Sequence, residues 1–237
     1  PGDTAASETC YSFVKEYHNP SDTTIGSKFV RLNGSDTSIL EFCYDGEMRA
    51  LVYNDEKRIV LDSFNVNPKP IRPLTPPFFN YVKSILKYAL ETKDSISLDI
   101  KDLGDIVYLK LTIYEENQVE FFGKAFHMPI SPYNFGENTS IYEMWIDKSN
   151  DLPFKTRREM YHNTSVRVRK DFELNKIDIN NFKASDYFPD DYKIQPYRLG
   201  GKRKTKSELI GKEAPDWTLQ TGDQLPFSLT DLKSKVT

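Results

Sequence analysis

Reactive side chains are scarce in this chain. Two cysteines, Cys10 and Cys43, and three histidines, His18, His127 and His162, are spread over 237 residues. A thiolate nucleophile or a zinc centre is usually announced by close Cys/His spacing such as C-x-x-C, and no such spacing occurs. The sequence also has no G-x-S-x-G elbow, no Walker loop and no paired-carboxylate motif. No residue is therefore assigned a catalytic role, no metal ligands are assigned, and no motif calls for a cofactor. His127, between Phe126 and Met128, reads as packed or hydrogen-bonded, His162 as a turn residue, and His18 as a loop residue before Asn19-Pro20. Cys10 and Cys43 fall on different expected strands. In an oxidising compartment they form a disulfide if their Cα atoms come within about 7 Å; otherwise they are small buried hydrophobes.

These groups must be held by a mainly β framework. Apolar residues alternate at period two over most of the chain, with turn residues between the runs. Leu40, Phe42 and Tyr44 precede Asp45-Gly46, and Met48, Ala50 and Val52 follow it, which predicts a hairpin. Strands are expected at 10–17, 25–32 and 58–64. Further ones carry Val107, Leu109, Leu111 and Ile113, a return strand after the Glu115-Glu116-Asn117 turn with Val119, Phe121 and Ala125, and then Tyr142, Met144 and Ile146. The last pair, 152–161 and 166–172, is expected to turn Val166 and Val168 inward and Arg167 and Arg169 outward. Prolines 68, 70, 73, 76 and 77 interrupt this rhythm and lead into a helix over 77–92. Its apolar face is Phe78, Val82, Ile85, Leu86 and Ala89, which either lines a cavity for an apolar ligand or plugs the core. The expected fold is a curved antiparallel meander of about ten or eleven strands with one main helix, too many strands for a flat sheet without curling.

Composition narrows the function classes. The net charge is −3 and the pI about 5.7, which argues against a sequence-independent nucleic-acid binder. The uncharged run 125–136 falls far short of the ~18 apolar residues a membrane span requires. The 14 tyrosines and 15 phenylalanines suit a wide β core with cross-strand aromatic pairs. Asn33-Gly34-Ser35, Asn138-Thr139-Ser140 and Asn163-Thr164-Ser165 are sequons in expected turns, unused in a bacterial envelope protein and glycan acceptors in a eukaryotic secreted one.

From residue 198 the character changes. Arg198-Leu199-Gly200-Gly201-Lys202-Arg203-Lys204-Thr205-Lys206 is basic and glycine-containing, and is read as a linker over 198–207. Its cations either remain solvated or touch a polyanion or lipid headgroup. Beyond it stand Gly211, Ala214-Pro215-Asp216-Trp217 and Leu219, then Ser228-Leu229-Thr230-Asp231-Leu232-Lys233-Ser234-Lys235-Val236. This stretch resembles the opening of thioredoxin-like domains of the peroxiredoxin and TlpA type. The resemblance implies that 208–237 begins a thioredoxin-like domain whose redox C-x-x-C would lie beyond Thr237, so this piece is expected to be inactive by itself while the parent is a thiol-disulfide oxidoreductase.

The β-rich part is expected as one domain over 1–197, and roughly residues 10–190 of it resemble the outer-membrane lipoprotein carrier superfamily. The features that carry this are its meander order, the proline-fenced helix, the Tyr44-Asp45-Gly46-Glu47 hairpin, and Trp145-Ile146-Asp147 followed by Leu152-Pro153 and a basic strand. That superfamily folds as an incomplete, open β-barrel that shields acyl chains. The resemblances together imply a non-catalytic binding or scaffold domain of the periplasm or outer-membrane-associated cell envelope. Its partners would be a hydrophobic ligand or client protein and the downstream thioredoxin-like domain, with no nucleic acid and no transmembrane span. The alternative is a free-standing lipoprotein-carrier or envelope-stress-sensor-like domain that binds lipid acyl chains.

Overall fold

The computed structural model describes residues 9–64, 74–129, 139–160, 163–174, 182–198, 218–220, 222–223 and 225–228. Among them are fifteen strands and one α-helix. The chain divides into two units, Pro1–Tyr197 and Arg198–Thr237.

In the first unit, β1 (Ser12–His18), β2 (Ser27–Asn33), β3 (Leu40–Tyr44), β4 (Arg49–Tyr53) and β5 (Arg58–Asp62) pair in sequence order, each antiparallel to the last. The β3–β4 turn is tight. The Asp45 N–H donates to the Met48 carbonyl at 3.2 Å, and Gly46 takes φ 100°, backbone that glycine adopts without a Cβ clash. This sheet buries both faces. Val30, Cys43, Ala50 and Ile59 pack with Phe182 and Ala184, while Ile25, Phe29, Tyr44 and Leu74 form a separate cluster. Cross-strand register explains the division, because Val30 aligns with Cys43 and Phe29 with Tyr44, so the two sets alternate through the pleat.

A single helix, α1 (Phe78–Glu91), follows. The second sheet then forms from β6 (Ile96–Asp102), β7 (Ile106–Ile113), β10 (Ser140–Asp147), β11 (Leu152–Met160) and β12 (Asn163–Val168), in the spatial order β12-β11-β10-β7-β6. The strand expected to return beside β7 does not do so. Val119–Phe121 (β8) and Ala125–His127 (β9) pair with each other as a separate hairpin, which buries Val119 and Phe121 against α1. Gly123 at this hairpin's turn has φ 85°, and a Cβ there would stand 2.3 Å from the Thr24 carbonyl oxygen, so only glycine permits the approach.

The expected meander is thus interrupted, with β5 and β6 belonging to different sheets. β5 instead receives β13 (Lys193–Pro196), which runs parallel to it, Lys193 aligning with Arg58 and Pro196 with Leu61. Each main sheet keeps two edges, and no closed barrel forms among the described residues. No helix is long and apolar enough to cross a membrane, among the described residues.

In the second unit, Thr218–Gln220 (β14) and Pro226–Ser228 (β15) form a short hairpin with exposed Leu219. Apart from Arg198, the linker expected over 198–207 lies outside the described residues, as does Trp217.

Candidate functional site

The five helix positions singled out from periodicity face one cluster. Val82 and Ile85 are buried, and Phe78, Leu86 and Ala89 are partly buried against the same residues. Their partners are Leu109, Leu111 and Ile113 on β7 and Tyr142 and Met144 on β10. Tyr142 donates its hydroxyl hydrogen to the Val119 carbonyl at 2.5 Å, so this apolar core also satisfies a backbone group of β8. The face continues beyond the helix. Leu98 aligns with Leu111 and Ile100 with Leu109 on edge strand β6, yet Leu98 is 39% and Ile100 59% exposed.

At the other edge the orientation expected for β12 is reversed. Val166 and Val168 are 51% and 57% exposed, whereas the Arg167 guanidinium lies 4.5 Å from the Tyr81 ring centroid and donates to the Pro76 carbonyl at 3.3 Å. Arg169 stacks at 3.7 Å on Phe172 and at 5.4 Å from Phe79. Register decides the matter. Val166 and Val168 align with Arg157 and Lys155 on the outer face, and Arg167 aligns with buried Thr156. Burial pulls the basicity of Arg167 below that of an ordinary arginine.

Where α1 meets the first sheet, Glu16 of β1 replaces a local cap. Pro77, at the N-cap, offers no side-chain acceptor; the Glu16 carboxylate accepts instead from the Phe79 N–H at 3.2 Å and the Asn80 N–H at 2.8 Å. Burial nonetheless pushes the Glu16 carboxyl up to about 7, against those two donors. The Asn80 side chain also donates to the Ile25 carbonyl at 2.7 Å.

The cysteines are not brought together. Cys43 is buried opposite Val30, which aligns with Lys15; Cys10 lies exposed five residues before Lys15. At about 3.4 Å per extended residue those five residues alone span about 17 Å, beyond disulfide reach. Burial, with the Asp45 charge adding to it, pushes the Cys43 thiol up to about 12. His18 is the last residue of β1 rather than a loop residue, aligned with Ser27, and His162 lies outside the described residues.

His127 joins a group that sequence spacing does not reveal. Its Nε2 is 2.8 Å from Asp94 Oδ2, and ligand-capable atoms of Asp94, Glu115 and His127 all lie within 4.8 Å of one another. Asp94 follows α1, Glu115 follows β7, and His127 ends β9. The Tyr88 hydroxyl donates to Asp94 Oδ2 at 2.5 Å, and the Ser95 N–H donates to Glu115 Oε1 at 2.8 Å. Burial opposes the ionised form of Asp94, but the Tyr88 and His127 hydrogen bonds outweigh it and hold the carboxyl below the usual range.

No protein-family model matches the chain, and no curated protein matches it. What the arrangement can do chemically therefore rests on its own geometry. Two features stand out: an apolar sheet face that runs from beneath α1 to an exposed edge, and a mixed nitrogen and oxygen donor cluster at the far end of the same helix. Sequence reasoning found the helix half of the first. It missed Asp94 and Glu115, whose separations from His127 in the chain form no ligand motif.

Proposed function

We propose that the 1–197 unit is a non-catalytic binding domain of a cell-envelope thiol-disulfide oxidoreductase, holding a hydrophobic ligand on the helix-bearing face of its second sheet. On this reading the two open sheets and α1 are an incomplete barrel of the lipoprotein-carrier type, and 208–237 is the opening of the thioredoxin-like module. The observation that carries the reading is the exposure of Leu98 and Ile100 in line with the buried Leu111 and Leu109. A sheet face that ends its job at the core has no reason to place two large apolar side chains in water at its rim, whereas a face that receives an acyl chain gains apolar area there at roughly 25 cal/mol per Å².

The test is titration of the chain with a fatty acid bearing an environment-sensitive fluorophore. Saturable binding is expected, weakened at least tenfold in the Leu98→Lys, Ile100→Lys double variant while the thermal midpoint stays within a few degrees. Absence of binding, or equal binding by the variant, overturns the reading.

A further inference from the structure

Asp94, Glu115 and His127 meet beyond the C-terminal end of α1, the end opposite to the one that Glu16 caps. Three separate segments deliver them: the α1–β6 connection, the residues after β7, and the end of β9. None depends on a long mobile loop. Asp94 is two residues beyond the helix cap Thr92, whose N–H donates to the Tyr88 carbonyl, and its own N–H donates to Thr92 Oγ1 at 3.1 Å. Glu115 sits one residue beyond Tyr114, whose N–H donates to the Ser95 carbonyl at 2.9 Å. His127 is locked in the β8–β9 ladder opposite Val119, and the following Met128 N–H donates to Gln118.

The donor set is what distinguishes this cluster from a solvated acidic patch. An imidazole nitrogen with two carboxylates is the mixed set used for first-row divalent ions such as Zn²⁺, in which three protein ligands leave a position for water. Each carboxylate is already oriented from outside the triad. The Tyr88 hydroxyl fixes one oxygen of Asp94, and the Ser95 N–H fixes one oxygen of Glu115. Such outer contacts orient metal-binding carboxylates, and the oxygen that Tyr88 holds, Asp94 Oδ2, is the one that faces His127 Nε2. The helix adds to this. Its last turn contains no basic residue to answer the negative end of the helix dipole, and a cation held by Asp94 would do so.

We propose that Asp94, Glu115 and His127 bind a first-row divalent metal ion of the zinc type, with Tyr88 as a positioning residue behind Asp94. The His127–Asp94 contact is the metal-free state, in which a hydrogen occupies the line between Nε2 and Oδ2. Metal binding replaces that hydrogen bond by two bonds to the ion: a neutral imidazole moves its Nε2 hydrogen to Nδ1 through solvent, and a charged one keeps Nδ1–H and releases the Nε2 proton. This site is independent of the apolar face, so its failure would leave the ligand-binding proposal standing.

The test uses the full chain, stripped with a chelator and titrated calorimetrically with Zn²⁺, then Co²⁺, Ca²⁺ and Mg²⁺. One Zn²⁺ per chain is expected. His127→Ala, at an exposed side chain, and Glu115→Gln, at a half-buried one, should each weaken it 10- to 100-fold with an unchanged circular dichroism spectrum, and Tyr88→Phe should weaken it by a smaller factor. Co²⁺ should develop visible absorption that the His127→Ala variant lacks, a readout that a merely structural role for His127 would not move. No saturable Zn²⁺ binding, undiminished binding by His127→Ala, or tighter binding of Ca²⁺ than of Zn²⁺ would each overturn the proposal.

Discussion

Glu16 on β1 receives the backbone N–H of Asn80 at 2.8 Å, so a residue 64 positions earlier in the chain caps the only α-helix among the described residues. The contact fastens α1, which packs on the second sheet, to a strand of the first. It also buries a carboxyl that titrates near neutrality.

That carboxyl makes stability depend on pH. Glu16 rises from 4.5 unfolded to about 7 folded, so the folded chain holds its proton more tightly. The resulting stabilisation is complete below about 4.5 and is lost as pH rises through about 7, a change of roughly 3 kcal/mol. Urea unfolding of the wild type and Glu16→Gln across this range should show the difference between them shifting by that amount in favour of the glutamine variant. A difference that is flat with pH would refute the assignment.

Arg49 and Asp62 form a buried ion pair, Nε to Oδ2 3.0 Å, with side chains 9% and 2% exposed. Removing one charge leaves the other in low dielectric. Asp62→Ala is expected to cost about 3–5 kcal/mol, and the double replacement Arg49→Met, Asp62→Leu much less than twice that. A double-mutant cycle by chemical denaturation measures the coupling.

Ile85 is fully buried beneath α1 among Leu111, Ile113 and Met144. Ile85→Ala should lower stability by about 2–5 kcal/mol. A loss below about 1 kcal/mol would mean that the helix face is not packed as described and leaves space beneath it.

The two thiols should differ in reactivity. Native protein at pH 8 is expected to react with Ellman's reagent once, at exposed Cys10, because Cys43 is buried and its thiol lies near 12. Denaturant should release the second equivalent. Two rapid equivalents without denaturant would contradict the burial of Cys43.

Local pattern determined much of this molecule. Period-two alternation located β1 to β5, β7 and β10 to β12 but not β6 or β13, the spacing of Phe78, Val82, Ile85, Leu86 and Ala89 located α1 and its buried side, and Asp45-Gly46 located a turn, because these are set by neighbours along the chain. Tertiary structure alone decided the rest. Val166 and Val168 face out because β12 inherits its register from β11 and Tyr81 offers Arg167 an aromatic face; alternation cannot say which of two faces a neighbouring strand will bury. Likewise, β13 pairs with β5 across more than a hundred residues, Glu16 finds a helix end, and Asp94, Glu115 and His127 meet from three connections. Such meetings depend on how sheets and helix dock in space, and no periodicity along the chain encodes that.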